Sequence, residues 1–124
     1  MSGAPIGHRR WAIPDGYIPD RSHGPTDMLS HETVSVLNTS DQAANLLITV
    51  YFSDRDPAGP YRLSVGARRT RHIRLSGLKD PQPIPAATEY AYVVESDVPV
   101  VVQHARVDSR QAENALAMVM AFPA

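Results

Sequence analysis

The chain of 124 residues contains no cysteine. That excludes a disulfide framework and thiolate catalysis, and it fits a protein kept in a reducing cytoplasm. No apolar run approaches the roughly 20 residues that a membrane-spanning helix needs. The first residues, Met1-Ser2-Gly3-Ala4-Pro5, lack the apolar core of a secretion signal. Any service to a membrane partner is therefore expected from the water phase, in the cytoplasm. Amphipathic helical patterns are missing too, and residues 109–114 have room for about one helical turn.

Acids are absent from residues 62–79. Six of the 12 basic residues lie there (Arg62, Arg68, Arg69, Arg71, Arg74 and Lys79), leaving six against all 13 acids elsewhere. The formal net charge is only −1, so the chain is a dipolar object with one basic patch. Its overall balance argues against strong non-specific binding to nucleic acid. The patch leaves a local version open: Arg62, Arg68, Arg69, Arg71 and Arg74 are a candidate face for nucleic acid or for an acidic partner. The run has no internal aromatic for base stacking. A solvated strand paired with acids on its neighbours is the blander reading.

What is present is a series of short β-prone runs between turn signals. Trp11 sits in the first, ended by Pro14-Asp15-Gly16, and is expected to anchor a core. Alternation over residues 31–37 puts Glu32, Val34 and Val36 on one face. Residues 44–52 alternate clearly, with Leu46, Ile48, Val50 and Phe52 together. Residues 61–65 and 68–75 follow, then residues 76–87, whose Pro81, Pro83 and Pro85 exclude regular structure. Residues 89–95 form a strand, and Ser96-Asp97 predicts a tight turn into Val98-Pro99-Val100, a hairpin with Pro99 blocking an edge. Residues 115–122 are apolar on both faces and predict a strand buried on both sides, in part by another subunit. The whole, residues 1–124, predicts one all-β domain, an antiparallel β-sandwich or jelly roll of about eight strands.

The most distinctive stretch runs from Val100 to Asn114. It opens strongly β-prone and then turns polar, as a rigid strand does when it presents a site. Arg106, Asp108 and Arg110 alternate, so Asp108 would fix two guanidinium planes. That is either a structural network at a subunit interface or a preorganised polar pocket. The candidate ligand- or partner-binding set is His31, Glu32, Gln103, His104, Arg106, Asp108, Arg110 and Gln111, with Gln103 and His104 expected to face whatever is recognised. His31, His72 and His104 lack a His-x-His or His-x-x-x-His spacing, so no metal or other cofactor is expected. Ser109, His104 and Asp108 offer the residue types of a catalytic triad but not its placement, so no enzyme is expected.

Several segments together carry a family resemblance. They are Trp11-Ala12-Ile13 with Gly16-Tyr17-Ile18-Pro19, Ser30-His31-Glu32-Thr33, and Tyr51-Phe52-Ser53-Asp54 with Pro57-Ala58-Gly59-Pro60-Tyr61-Arg62-Leu63. Ala67-Arg68-Arg69-Thr70, Pro83-Ile84-Pro85 and Val100-Val101-Val102-Gln103-His104 continue the series. Arg106-Val107-Asp108-Ser109-Arg110-Gln111-Ala112-Glu113-Asn114-Ala115-Leu116 closes it. Over nearly its full length the sequence resembles the soluble sensory rhodopsin transducer family. The resemblance implies a cytoplasmic β-sandwich that assembles as a homotetramer and docks on the cytoplasmic face of a microbial sensory rhodopsin. It also implies two alternatives: association with DNA in transcriptional control, and sensing of a small sugar-like metabolite.

If the arginine run is a DNA footprint, the plot of log affinity against log salt has a steep slope. Arg69→Ala combined with Arg71→Ala then flattens it by about two phosphate contacts. A fluorescence-anisotropy titration over a salt series checks this, and an unchanged slope removes the patch as the footprint.

Overall fold

The computed structural model describes residues 3–19, 31–108 and 115–124. Its strands are β1 (His8–Tyr17), β2 (His31–Asn38), β3 (Ala44–Phe52), β4 (Ala58–Val65), β5 (Arg69–Arg74), β6 (Glu89–Asp108), β7 (Ala115–Met120) and β8 (Phe122–Pro123). A single 3-10 turn, Leu75–Gly77, follows β5. Every pairing is antiparallel. The β-sandwich expected from the alternating runs is the observed architecture, and its sheet does not close into a barrel.

Alternation decides which side chains meet. In β3, Ala44, Leu46, Ile48 and Val50 turn inward and are fully buried. In β2, Glu32, Val34, Val36 and Asn38 do the same. Trp11 and Ile13 from β1, Tyr61 and Val65 from β4, and Tyr92, Val94, Val100 and Val102 from β6 complete the core. Trp11 is the anchor its sequence context predicts, and its indole N–H is shared between the His8 and Val100 carbonyls.

One layer has the order β4-β3-β6-β1-β8. The other runs β5-β2-β6-β7. Both contain β6, which corrects the expected hairpin at Ser96-Asp97. Residues 89–108 are one continuous strand of 20 residues. Its first half lies between β3 and β1, up to the Leu46–Ser96 pair. Its second half lies between β2 and β7, from the Leu37–Val101 pair onward. The turn-prone residues mark the corner where β6 leaves one layer for the other. Pro99 sits at that corner, in the irregular stretch of the β1–β6 ladder between the Arg10–Glu95 and His8–Val100 pairs, and has no register partner of its own, so its missing N–H interrupts no regular pairing. It therefore blocks no edge, because β6 is central.

A second correction concerns β7. The strand exists, but in the single chain Leu116, Met118, Val119 and Met120 are exposed rather than buried on both sides. The helical turn expected within residues 109–114 lies outside the described residues.

Asn38 closes the opposite end of the sandwich. Its buried amide donates to the carbonyls of Gln42, Val65 and Gly66, and its oxygen accepts from the Ser40 amide and hydroxyl. One side chain thus ties the end of β2 to the start of β3 and the end of β4. Asn38→Ala strands all of these groups in a buried site. It is expected to lower stability by about 3 kcal/mol, read as a shifted denaturation midpoint at unchanged slope.

Candidate functional site

The side chain around which the predicted residues gather is Glu32. It comes from β2 with no exposed surface, a position that alternation with Val34 and Val36 dictates. A buried carboxylate persists only where donors replace its water. Three do so here. The Tyr17 amide donates to Oε1 at 2.8 Å. The Tyr90 hydroxyl donates to the same oxygen. The Arg106 guanidinium donates through Nε to Oε2. His104 completes the ring, with Nε2 3.6 Å from Oε1 and Nδ1 2.7 Å from the Tyr92 hydroxyl.

Local backbone features make this convergence possible. The β1–β6 register slips between Ile13 and Gly16, so Pro14 and Asp15 form a bulge against Ala91. Bulges re-aim side chains, and this one brings Asp15 Oδ1 to 3.9 Å from Arg106 Nη2. Gly16 then passes beneath Tyr90. A Cβ there would lie 2.4 Å from Tyr90 Cζ, so any side chain would push the phenol off Glu32. The corner in β6 places Tyr90 and Tyr92 in one layer and His104 and Arg106 in the other, all facing inward.

The electrostatics follow. Burial alone would push the Glu32 carboxyl up. The His104 ring, the Tyr90 hydroxyl and the Arg106 guanidinium more than offset it and hold the group below its usual value. Burial, reinforced by the Glu32 charge, pushes Tyr90 and Tyr92 far up, so both remain protonated donors. Burial tends to lower Arg106, but the Glu32 contact outweighs it and Arg106 stays charged.

A cleft of about 460 Å³ opens beside this cluster. His104 and Arg106 lie on its floor. Its walls are Ile13, Pro14 and Asp15 of the bulge and residues 117–122 of β7 and β8. Two predicted ligand residues thus share a cleft with largely apolar walls. A second groove, of about 520 Å³, runs over the outer face of β2, β5 and β6 and is lined in part by His31, His72 and Gln103.

The predicted set therefore divides. Glu32, His104 and Arg106 come together inside. Gln103 faces the outer groove, opposite in direction to its neighbour His104, so the two do not share one surface. His31 also points outward, 3.5 Å from the Arg74 guanidinium. This separates His104 from His31 and His72, and no metal-binding cluster exists among the described residues. Arg106 pairs with Glu32, across 74 positions, and approaches Asp15. Asp108 pairs in register with Ala115 of β7, and Arg110 and Gln111 lie outside the described residues. Sequence reasoning missed Tyr90, Tyr92, Gly16 and Asp15. Tyr90 and Tyr92 share an alternation face, but nothing local connects them to Glu32.

The arginine patch occupies β4, β5 and the turn between them, β4 and β5 being the end strands of the two layers. Arg62, Arg68, Arg69, Arg71 and Arg74 are partly or fully exposed there. Arg71 donates to the Ser64 carbonyl at 2.8 Å, which spans the gap from β5 to β4. Arg69 donates to the Arg68 carbonyl.

An open antiparallel β-sandwich crossed by one shared strand, with a buried carboxylate at the crossing, is the class these observations define. Residues 6–123 match the family described as Anabaena sensory rhodopsin transducer, and the chain belongs to that family. Among solved structures it is similar to the Anabaena sensory rhodopsin transducer itself: 50% identity, 83% of this chain and 99% of that one covered, TM-score 0.72. It is also similar to Thermotoga maritima 1070: 33% identity, 95% and 96% covered, TM-score 0.85. Among curated proteins none matches the chain. No helix among the described residues is long and apolar enough to cross a membrane.

Removing either member of the central ion pair leaves the other without its counter-charge. Arg106→Ala strands a fully buried carboxylate and is expected to cost about 3–5 kcal/mol. Glu32→Gln leaves a guanidinium that still reaches water and is expected to cost less. Because the Glu32 pKa is lowered in the folded chain, its contribution is complete above the ordinary glutamate value of 4.5 and fades as pH falls through the folded value. Urea denaturation of wild type and Glu32→Gln across that acid range checks both points: the wild-type advantage narrows as pH drops.

Proposed function

We propose that the protein is a non-enzymatic signalling adaptor of the cytoplasm, which assembles with copies of itself and docks on a sensory rhodopsin. The observation that carries the docking role is the 50% identity to the Anabaena transducer over 99% of that chain. A protein with this role needs surfaces rather than a reaction centre. Its two interior tyrosines, its buried carboxylate and its buried histidine are held against one another and build a rigid scaffold.

Self-assembly draws its support from β7 and β8. Leu116, Met118, Val119, Met120 and Phe122 are 53–69% exposed and adjoin along one side of the sandwich. Scattered exposed hydrophobics need no explanation, but a contiguous group on an edge strand does. A homotetramer, as the family resemblance implies, would cover them. The arginines of β4 and β5 lie on the opposite side and are exposed to an outside partner.

Two measurements test the two parts separately. Met118→Glu places a charge on the apolar edge and is expected to shift the sedimentation coefficient from an oligomer to a monomer, with the far-UV spectrum unchanged. A wild-type monomer at micromolar concentration refutes the assembly. For docking, a microbial sensory rhodopsin purified in detergent is titrated with the wild-type protein by calorimetry. Absence of heat at tens of micromolar refutes the adaptor role.

A further inference from the structure

The arginines of the basic flank point in more than one direction. Arg62 lies opposite Leu47, whose neighbours Leu46 and Ile48 face the core, so Arg62 is on the outer face of the β4 layer. Arg74 lies opposite Thr33, on the outer face of the β5 layer. Arg69 and Arg71 lie opposite Asn38 and Val36, which face inward. They therefore occupy the open edge between the layers, where Arg71 reaches the Ser64 carbonyl. Arg68 holds the turn before β5, its amide bound to the Ser40 carbonyl at 2.9 Å. All five are exposed. Positive charge thus wraps the edge from one outer face to the other. This is a convex rim, and neither cleft described above is lined by any of the five.

The acids that border the rim do not cancel it. Asp41 follows Ser40, and Asp80 follows Lys79. Glu95 lies two strands from Arg62, across Leu47, a separation of about 10 Å. Salt screens such a separation at the surface, where the Debye length is about 8 Å. Shape then selects the partner. A rigid duplex meets a convex rim at few phosphates, and the run has no aromatic for base stacking. A fluid bilayer has no fixed spacing to match, and its anionic headgroups gather around the cations that approach it.

We propose that the arginine rim is a docking surface for an anionic lipid bilayer. The inference deepens the docking role proposed above, and rests on it only in placing a membrane within reach. Two weak attachments that act together multiply. The rim supplies one, to lipid, and the membrane receptor supplies the other. The rim thereby also sets which side of the sandwich faces the membrane, with the apolar flank of β7 and β8 turned away.

The test is co-sedimentation of the intact protein with vesicles that contain no receptor. They are made of phosphatidylcholine alone or with about a third of phosphatidylserine, at about 50 mM and about 300 mM salt. Wild type is expected to bind the anionic vesicles at low salt, to leave them at high salt and to ignore the neutral ones. Arg62→Ala combined with Arg69→Ala leaves the Arg71 bridge in place. It is expected to weaken binding about 25-fold, at about fivefold per arginine. Arg9→Ala combined with Arg10→Ala makes the same charge change in β1 and is expected to weaken it far less. Equal losses in the two double variants overturn the proposal, as does equal binding to neutral vesicles. Binding to duplex DNA without binding to anionic vesicles at low salt assigns the rim to nucleic acid and overturns it too, and so does binding to neither. Because the vesicles hold no rhodopsin, these outcomes are independent of the calorimetric titration, and either reading can fail alone.

Discussion

The rest of the molecule is arranged around the need to keep one carboxylate in a dry core. Glu32 has no exposed surface, and a buried ion without compensating donors costs far more than a domain of this size has to spare. Its donors come from three places distant in sequence: the Tyr17 amide, the Tyr90 hydroxyl and the Arg106 guanidinium. Each arrives through a local irregularity. The bulge at Pro14-Asp15 sets the end of β1, the bare Gly16 admits the Tyr90 ring, and the corner in β6 turns Arg106 toward the carboxylate. A regular sheet without these three departures would strand the charge. This makes the ion pair weak evidence for stability but strong evidence for register, since a slip of one residue anywhere in β1, β2 or β6 breaks it.

The shared strand also makes the two flanks of the sandwich chemically unlike. Because β6 is central in both layers, the edges fall to β4 and β5 on one side and to β7 and β8 on the other. The first flank carries arginines and the second carries bare methionine, leucine and valine. Exposed edge strands invite pairing with other chains, and charge is the common defence. Here only one flank is defended in that way. The asymmetry fits an assembly whose apolar flanks meet and whose basic flanks face outward.

Much of this was legible beforehand where alternation was local. The inward faces of β2 and β3, Trp11 in the core, and the sandwich class all follow from period-two patterning. The patterning even placed Glu32 beside Val34 and Val36, which marks a buried carboxylate. Its partners were not legible, because Arg106 lies 74 positions away and reaches Glu32 only through strand pairing. Ser96-Asp97 misled because turn propensity is local, while the ladders of β3 before it and β2 after it hold β6 extended. Val98, Pro99 and Val100 are strand-compatible, so tertiary pairing won over the turn. Residues 115–120 misled in a more useful way. Two apolar faces predict burial on both sides, and in the single chain residues 116–120 are exposed.

That last point bears on the central ion pair. Arg106 lies opposite Ala117 in the β6–β7 register, and its side chain keeps about a third of its surface in water. Water at that site weakens the attraction between guanidinium and carboxylate by raising the local dielectric. A second chain laid over β7 and β8 would expel that water and strengthen the pair. The same cover would raise the cost of any state in which Arg106 is released. In such an assembly the Glu32–Arg106 pair and the cover over β7 and β8 would be linked through one side chain, and by reciprocity whatever loosened Arg106 would also loosen the covered flank. A buried polar cluster that would be dispensable in an isolated sandwich would thus acquire a role at the edge.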